Sequence, residues 1–256
     1  MLMLGIDCGS TTTKGVLFDG KRVVETGILP TSARPRERME ELYGRLYRPG
    51  VRCTVATGYG RALLPQADRQ VTEITCHARG AAFLSPGIGC VVDIGGQDCK
   101  AILLDKGGFV ADFAMNDKCA AGTGRFVEMM CRILDCDLDG VDAFVAGRTP
   151  VEITSMCTVF AESEIISLLA EGHERGDIAL GVIRSICRRT AYFAQKLRPD
   201  GEVFFSGGLA RFSAFRTALE GFIALPVRTS ELSQYAGAIG AAVIGWEREN
   251  KRHKPL

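Results

Sequence analysis

The chain places the same order of strands and turns in two separate regions, and this duplication constrains the fold more than any other feature. The first copy, GIDCGSTTTKG, is an apolar strand ending at Asp7, a short polar turn and a second strand. The second copy, DIGGQDCKA, has Asp93 at the matching place, then two glycines and another strand. A shared order of elements and turn chemistry is typical of an internal duplication. We therefore expect two related lobes that meet near Ser85-Pro86-Gly87.

Hydrophobic periodicity predicts the remaining elements and an α/β class. Strands that alternate with helices along the chain are typical of helices packed on sheets. We predict helices in RERMEELYGRLYR, QVTEITCHARGAAFL and IALGVIRSICRRTAYFAQKL, and two more at about 121–134 and 158–170. The predicted domains are an N-terminal lobe at 1–87 and a C-terminal lobe at 88–256. The small-residue helix AGAIGAAVIGW is expected to pack back on the first lobe.

Composition excludes several classes of protein. Of the 256 residues, 46% are hydrophobic and 24% are charged, and the net charge of +1 gives no general attraction to nucleic acid or anionic membranes. The apolar run at 236–246 is far shorter than the roughly 20 residues that span a bilayer. Ten cysteines without an N-terminal secretory signal lead us to expect a cytoplasmic protein with reduced thiols.

The first polar turn has the chemistry of a phosphate site. Its backbone N–H groups and hydroxyls can surround phosphate oxygens, and Asp7 offers the hard oxygen ligand that Mg²⁺ requires. The spacing is not that of a Walker A loop, and Lys14 continues as a strand, which excludes a Rossmann loop. Lys14 either adds positive charge to the phosphates or is solvated. The turn consists of Gly9, Ser10, Thr11 and Thr12.

Two further glycine turns extend this pattern. The turn DIGGQD lets the backbone approach a ligand closely, and its last two side chains can position a water molecule or the metal. Gly207-Gly208 in FSGGLA can admit a flat base or ribose. Each turn alone is also typical of an ordinary hairpin or strand–helix connection, whereas all three in this order indicate a nucleotide site. The second turn comprises Asp93, Gly95, Gly96, Gln97 and Asp98.

The cysteine spacing makes a cluster or zinc site within one local segment difficult to build. The chain has no C-x-x-C, and its closest pair is Cys131 and Cys136. A [4Fe–4S] cluster needs four ligands, which two cysteines from each protomer of a twofold dimer would supply. Cys119 and Cys157 suit this role because each precedes a helix, whose N-terminus stabilises negative charge. Spacing alone leaves open that they are buried thiols or nucleophiles.

For the other cysteines we expect structural roles. A Cys76–His77 nucleophile–base pair is disfavoured, because adjacent residues on a helix face different directions. His77 is expected to be a hydrogen-bonded structural residue, and Cys136 is also assigned a structural role. The small core residues are expected to be Cys8, Cys53, Cys90, Cys99, Cys131 and Cys187.

Seven motifs together resemble one group of ATPases. The three glycine turns correspond in kind to the phosphate-1, phosphate-2 and adenosine motifs of the actin, hexokinase and Hsp70 superfamily. The full set resembles the BadF/BadG/BcrA/BcrD-type ATPases, which include 2-hydroxyacyl-CoA dehydratase activators, benzoyl-CoA reductase subunits and reductases of double-cubane-cluster proteins. The motifs cover essentially the whole chain: GIDCGSTTTKG, ATGYGR, EITCHARGA, DIGGQD, MNDKCAAGTGRF, TSMCTVFAESE and SGGLA.

This resemblance implies a two-lobed actin/hexokinase/Hsp70-type ATPase fold with duplicated ribonuclease-H-like lobes and ATP or ADP in the cleft. It implies a homodimer in which Cys119 and Cys157 of each protomer hold one [4Fe–4S] cluster. Asp7 and Asp98 would hold Mg²⁺, and Asp7, Gln97 and Asp98 would form the catalytic set. The implied nucleotide contacts are Gly9, Ser10, Thr11, Thr12, Lys14, Asp93, Gly95, Gly96, Gln97, Gly122, Thr123, Gly207 and Gly208.

The implied activity is ATP-dependent transfer of one electron from a ferredoxin- or flavodoxin-type donor to a partner iron–sulfur dehydratase or reductase. Two other functions stay open on the residues alone: a small-molecule kinase of the same superfamily and a nucleotide-gated binding module without redox chemistry. The sequence does not identify the electron acceptor. For Glu162 and Glu164 the favoured interpretation is an acid-rich first turn that complements the helix dipole, but the sequence does not fix their role. Arg61 could contact either the nucleotide or the partner, and the sequence leaves both open.

Overall fold

Two five-stranded sheets of the same topology form the framework, described by the computed structural model at residues 1–116, 122–155 and 157–252. In each sheet the central strand is antiparallel to one neighbour and parallel to the other, which confirms the predicted duplication. The first sheet contains β1 (Leu2–Cys8), β2 (Thr12–Phe18), β3 (Val23–Pro30), β4 (Val51–Gly58) and β5 (Arg69–Gln70), in the order β3-β2-β1-β4-β5. The second contains β6 (Cys90–Ile94), β7 (Cys99–Leu104), β8 (Val110–Asn116), β9 (Val203–Gly207) and β10 (Val227–Arg228), in the order β8-β7-β6-β9-β10.

Helices cover these sheets and connect them. Helix α5 has the predicted bounds, α3 begins three residues later than predicted, and α7 was not predicted. Within the described residues, no helix is long and apolar enough to cross a membrane. The helices are α1 (Pro35–Leu46), α2 (Glu73–Leu84), α3 (Gly124–Ile133), α4 (Val141–Val145), α5 (Thr158–Ala170), α6 (Arg175–Leu197), α7 (Ser213–Ile223) and α8 (Ala236–Arg252).

The central strands are buried along almost their whole length. This burial explains why β1, β6 and β9 are apolar on both faces instead of alternating. Helix α8 packs against α2 and across β1 and β4. The approach is close at Gly5, where a Cβ atom would overlap the Ala238 carbonyl, so glycine is required there. The division of the chain at residue 87 stays a prediction.

Candidate functional site

A cavity of about 310 Å³ lies where the central strands of both sheets end. Helix α2, the start of α3 and the turn after β9 complete its walls. The structure therefore brings the three predicted glycine turns, which are up to 200 positions apart in sequence, to one cavity. The predicted residues that line it are Asp7, Gly9, Ser10, Thr11, Thr12, Lys14, Asp93, Gly95, Gly96, Asp98, Gly207 and Gly208.

The first and second turns face each other across the cavity at close range. Each is closed by a backbone hydrogen bond: Gly9 N–H donates to the Thr12 carbonyl at 3.2 Å, and Gly95 N–H to the Asp98 carbonyl at 2.9 Å. A Cβ atom at Gly96 would overlap the Thr11 hydroxyl. Glycine at this position therefore lets hydroxyls of one turn approach the backbone of the other, an arrangement suited to surrounding phosphate oxygens.

The duplicated sheets place two acid–lysine pairs at equivalent positions. Asp7 lies opposite Lys14 across β1 and β2, and Asp93 lies opposite Lys100 across β6 and β7. Burial raises the pKa of Asp7, while the nearby Lys14 partly offsets this effect. Burial would also raise the pKa of Asp93, but His77, Lys100 and a hydrogen bond together hold it well below its ordinary value. Asp93 is therefore a stabilised carboxylate.

Asp7 is a buried acid with an unused oxygen. The residue is 3% exposed, and its Oδ1 atom has no hydrogen-bond partner among the described residues. Gly58 and Gly237 pack against the two carboxylate oxygens, where a Cβ atom would lie 2.5 Å away. A buried carboxylate oxygen without a partner is unfavourable unless a cation approaches it. Asp7 therefore fits the predicted Mg²⁺ ligand.

Three side chains that the sequence analysis did not assign to the site also converge here. His77 Nδ1 lies 3.3 Å from Asp93 Oδ1, and Lys100 Nζ lies 2.7 Å from Glu73 Oε1. Glu73 and His77 line the cavity from α2. Their spacing of four residues in EITCHARGA, which puts both on one helix face, was the signal that could have found them. His77 makes the expected structural contact, with Ser206 Oγ at 3.3 Å, and also faces the cavity.

Three predicted nucleotide contacts lie outside the cavity lining. Gln97 is exposed, and its amide oxygen accepts hydrogen bonds from the Arg125 guanidinium, an amide orientation assigned from this contact. Gly122 and Thr123 are buried just before α3. From this helix, Gly124 and Glu128 line the cavity instead. The roles of Gln97, Gly122 and Thr123 stay predictions.

The third turn forms an open end of the cavity. Gly207 has φ of +95°, a left-handed conformation that favours glycine, and Gly208 is exposed with no atom within 4 Å of a Cβ added there. Leu138, Leu209 and Gln234 complete this end. The open space beside an apolar wall is suited to a flat ring, as predicted for a base or ribose.

Cys157 is half-buried and is the N-cap residue of α5. The segment before it is fixed from two sides. Glu164 accepts hydrogen bonds from the N–H groups of Thr154 and Ser155, both at 2.9 Å, and Arg189 donates to the Ser155 carbonyl at 2.6 Å. The interpretation of Glu162 and Glu164 as first-turn acids was wrong, because the first turn of α5 contains no acidic residue. Glu164 lies in the second turn and binds the preceding loop. Cys119 lies outside the described residues.

The six cysteines predicted to be small core residues are buried, which confirms that prediction, whereas Cys136 is half-buried. Burial raises the pKa of Cys90 to about 12 and that of Cys99 to about 11, so both thiols stay protonated. Burial likewise raises the pKa of Cys76 to about 12, which argues against a nucleophile. The buried core thiols are Cys8, Cys53, Cys90, Cys99, Cys131 and Cys187.

The sequence as a whole is similar to those of known proteins. The model of the BadF/BadG/BcrA/BcrD ATPase family matches residues 4–245. The chain belongs to this family. Membership in the BadF/BadG/BcrA/BcrD ATPase family accounts for the shared cavity of the three turns, and it supports ATPase activity.

Individual members of the BadF/BadG/BcrA/BcrD ATPase family match over their full length. The (R)-2-hydroxyglutaryl-CoA dehydratase activating ATPase of Acidaminococcus fermentans is 41% identical over 97% of this chain and 98% of its own. The activator of the 2-hydroxyisocaproyl-CoA dehydratase from Clostridium difficile, solved with bound ADPNP, has a TM-score of 0.91 at 36% identity, covering 100% and 99% of the two chains.

A more distant structure shows the fold alone. The ROK family glucokinase from Streptomyces griseus has a TM-score of 0.59 at 14% identity, covering 95% of this chain and 99% of its own. Together with the activator structure, this likeness confirms the predicted two-lobed α/β fold of the actin/hexokinase/Hsp70 type.

Proposed function

We propose that the protein is a homodimeric ATPase that passes one electron at a time to a partner iron–sulfur enzyme. The partner would be a 2-hydroxyacyl-CoA dehydratase or a related reductase, and a ferredoxin- or flavodoxin-type protein would donate the electron. The family relationship supports the activator role. The free thiols of the described cysteines fit a reducing compartment, and we propose the cytoplasm.

In the proposed nucleotide complex, the two facing turns bind the phosphates and the open third turn takes the nucleoside. Lys14 lines the cavity and supplies positive charge to the phosphates. Asp7 holds Mg²⁺, since its unpartnered oxygen fits a hard cation. When bound, Mg²⁺ neutralises charge on the transferred phosphoryl group. Asp98, which the sequence analysis assigned with Asp7 to Mg²⁺, contacts Lys100 Nζ at 2.9 Å, so we propose that it orients the attacking water instead. Gln97 is proposed to share this role, which requires its amide to leave Arg125.

The observation that carries the redox part of the proposal is the position of Cys157. Among the cysteines of the described ranges, it alone caps the N-terminus of a helix. The end of a helix favours a thiolate and an attached anionic cluster. Its half-buried thiol and immobilised loop fit a cluster ligand, with Cys119 as the second ligand of each protomer. When bound, a [4Fe–4S] cluster supplies one-electron chemistry.

The surface of α5 supports a dimer. Phe160 is 69% exposed and Ile166 is 53% exposed, six positions apart on the helix that begins at Cys157. The two side chains lie about 120° apart around the helix axis, so a partner that covers the outer side of α5 would bury both. A twofold axis beside α5 would bring the two copies of this helix together and give four thiolates from two chains.

Backbone contacts provide a route from nucleotide to cysteine. Gly124 N–H donates to the Gly95 carbonyl at 2.9 Å, and Arg125 N–H donates to the Gly96 carbonyl at 3.1 Å. The start of α3, five residues after Cys119, is therefore attached to the second phosphate turn, and α3 packs against α5. We infer that a shift of the turn on ATP binding moves both cysteine-bearing segments.

The proposal is tested by iron and cluster content after oxygen-free purification. The wild-type protein should be brown, and Cys157→Ser should lose iron while still binding ATP. Cys136→Ser is the matched control, because Cys136 is also half-buried but does not cap a helix, and this variant should keep its iron. Colourless, monomeric and iron-free wild-type protein would overturn the redox proposal and leave only the ATPase.

A further inference from the structure

Lys100 is a lysine buried among three carboxylates. Its side chain is 1% exposed, and Nζ lies 2.7 Å from Glu73 Oε1, 2.9 Å from Asp98 Oδ2 and 3.3 Å from Asp93 Oδ2. These acids come from α2 and from both ends of the second phosphate turn. A buried ammonium with three acidic partners is far more constrained than a surface ion pair, since the ammonium group itself lacks water as an alternative partner.

Because the two sheets are duplicated, Lys100 can be compared with the lysine at the same position of the first sheet. Lys14 occupies the equivalent register position in the first sheet, opposite Asp7. It is half-buried, lines the cavity, and within the described ranges has no carboxylate within 4.0 Å. The two copies of one acid–lysine pair have therefore diverged: one lysine faces the cavity, and the other is enclosed by acids.

Four acids lie at this end of the cavity, and three of them have Lys100 as a partner whereas Asp7 does not. Asp93 also accepts a hydrogen bond from Ser206 at 2.7 Å and faces His77. Glu73 and Asp98 each contact Lys100, whereas Asp7 Oδ1 has no partner among the described residues. We propose that Lys100 is a positioning residue that neutralises Glu73, Asp93 and Asp98, and thereby leaves Asp7 as the acid that binds the divalent cation of ATP.

This inference rests on the proposed Mg²⁺-dependent ATP hydrolysis and specifies its metal site. Mg²⁺ in nucleotide sites is bound through one or two carboxylates, several waters and the phosphates. A cluster of four free acids would instead attract a second divalent cation in the absence of nucleotide. Lys100 prevents this by occupying the point that Glu73, Asp93 and Asp98 share.

The direct test removes the ammonium. In Lys100→Met, the three released carboxylates should bind about one Mn²⁺ per chain without nucleotide, measured by electron paramagnetic resonance of free Mn²⁺. The wild-type protein should bind Mn²⁺ tightly only together with ATP. If folded Lys100→Met, checked by circular dichroism, binds no more Mn²⁺ than the wild type, the inference is wrong.

A second pair of variants tests which acid binds the cation, even if Lys100→Met does not fold. Asp7→Asn should weaken Mn²⁺ binding to the ATP complex by roughly 100-fold, and Asp98→Asn by less than about threefold, because Asp98 is already paired with Lys100. Equal losses in the two variants would overturn the inference. Mn²⁺ binding does not depend on iron or an electron acceptor, so this result is separable from failure of the redox proposal. Wild-type protein that does not bind Mn²⁺–ATP would refute the nucleotide proposal itself.

Discussion

Single residues fix the loop that carries the candidate cluster ligand. Glu164 makes three hydrogen bonds to the segment before Cys157, two to N–H groups and one to the Thr154 hydroxyl at 2.7 Å. Burial would raise the pKa of Glu164, but these donors together hold it below its ordinary value of 4.5. The ionised carboxylate is thus the form that stabilises the loop.

Glu164→Gln tests this role. We expect the free energy of unfolding to fall by about 1–3 kcal/mol, because an amide accepts hydrogen bonds from the loop N–H groups less well than a carboxylate. Because the folded-state pKa is lowered, this stabilisation is complete above about pH 4.5 and disappears as the pH falls through the folded-state value. Urea unfolding at several pH values should therefore show a difference from wild type that narrows in acid.

The control for this prediction is Glu162→Gln on the same helix. Glu162 is half-buried, so the two substitutions are similar in chemistry and placement. Equal stability of the two variants at neutral pH would contradict the role of Glu164. Faster loss of iron from Glu164→Gln alone would further connect the loop to the cluster.

Among the elements, the crossing of α2 and α8 has the closest backbone contact around the site. Cβ atoms at Gly80 and Gly240 would overlap the carbonyls of Ala236 and Cys76, respectively. The same two helices bring His77 and Gly237 to the carboxylate of Asp7. The small residues of AGAIGAAVIGW therefore let α8 approach α2 closely enough to enclose the cavity acids.

Gly240→Ala should destabilise the protein by about 1–3 kcal/mol, because the new methyl group overpacks the helix crossing. Gly44→Ala is the matched control: Gly44 is exposed in α1, and a Cβ atom there meets nothing within 4 Å. That change should stabilise the protein by roughly 0.5–1 kcal/mol through helix propensity. If chemical denaturation shows that both variants change the free energy of unfolding in the same direction, this description of the helix crossing is contradicted.

The elements differed in how well their sequences predicted them. The bounds of helix α5 were predicted correctly because Ala161 and Ile165 are spaced for one helix face and Gly172 follows as a stop signal. In the structure Gly172 has a φ of +87°, a conformation that favours glycine. Helix α7 was missed although Phe215 and Leu219 show the same periodicity. Strand β10 has only two residues, and both pair with β9.

At the scale of the whole molecule, the α5 surface determines the proposed assembly. Phe160→Glu combined with Ile166→Glu should convert the dimer to a monomer and release iron, because burying two unpaired carboxylates in an interface is unfavourable. Sedimentation under anaerobic conditions measures the change. Val24→Glu on β3 is the control, since Val24 is 44% exposed but lies on the first sheet. Dissociation by the control as well would contradict the assignment of the interface to α5.

The sequence predicted the two-lobed fold and most of the cavity lining, because turns and strand ends are local patterns. It did not predict the ion pairs of Lys100 with Glu73, Asp93 and Asp98, since these depend on how α2 is placed against the second sheet. Nor did it show that Gln97 contacts Arg125. Side-chain partners between distant segments follow from packing, which residue spacing does not record.

The central claim is that two chains share one cluster through Cys119 and Cys157. Native mass spectrometry of anaerobically purified protein tests it most directly, because it counts chains and iron in one particle. We predict a particle of two chains that carries four iron and four sulfide ions, and an iron-free particle for Cys157→Ser. A separate cluster in every chain, or iron retained by Cys157→Ser, would contradict the account.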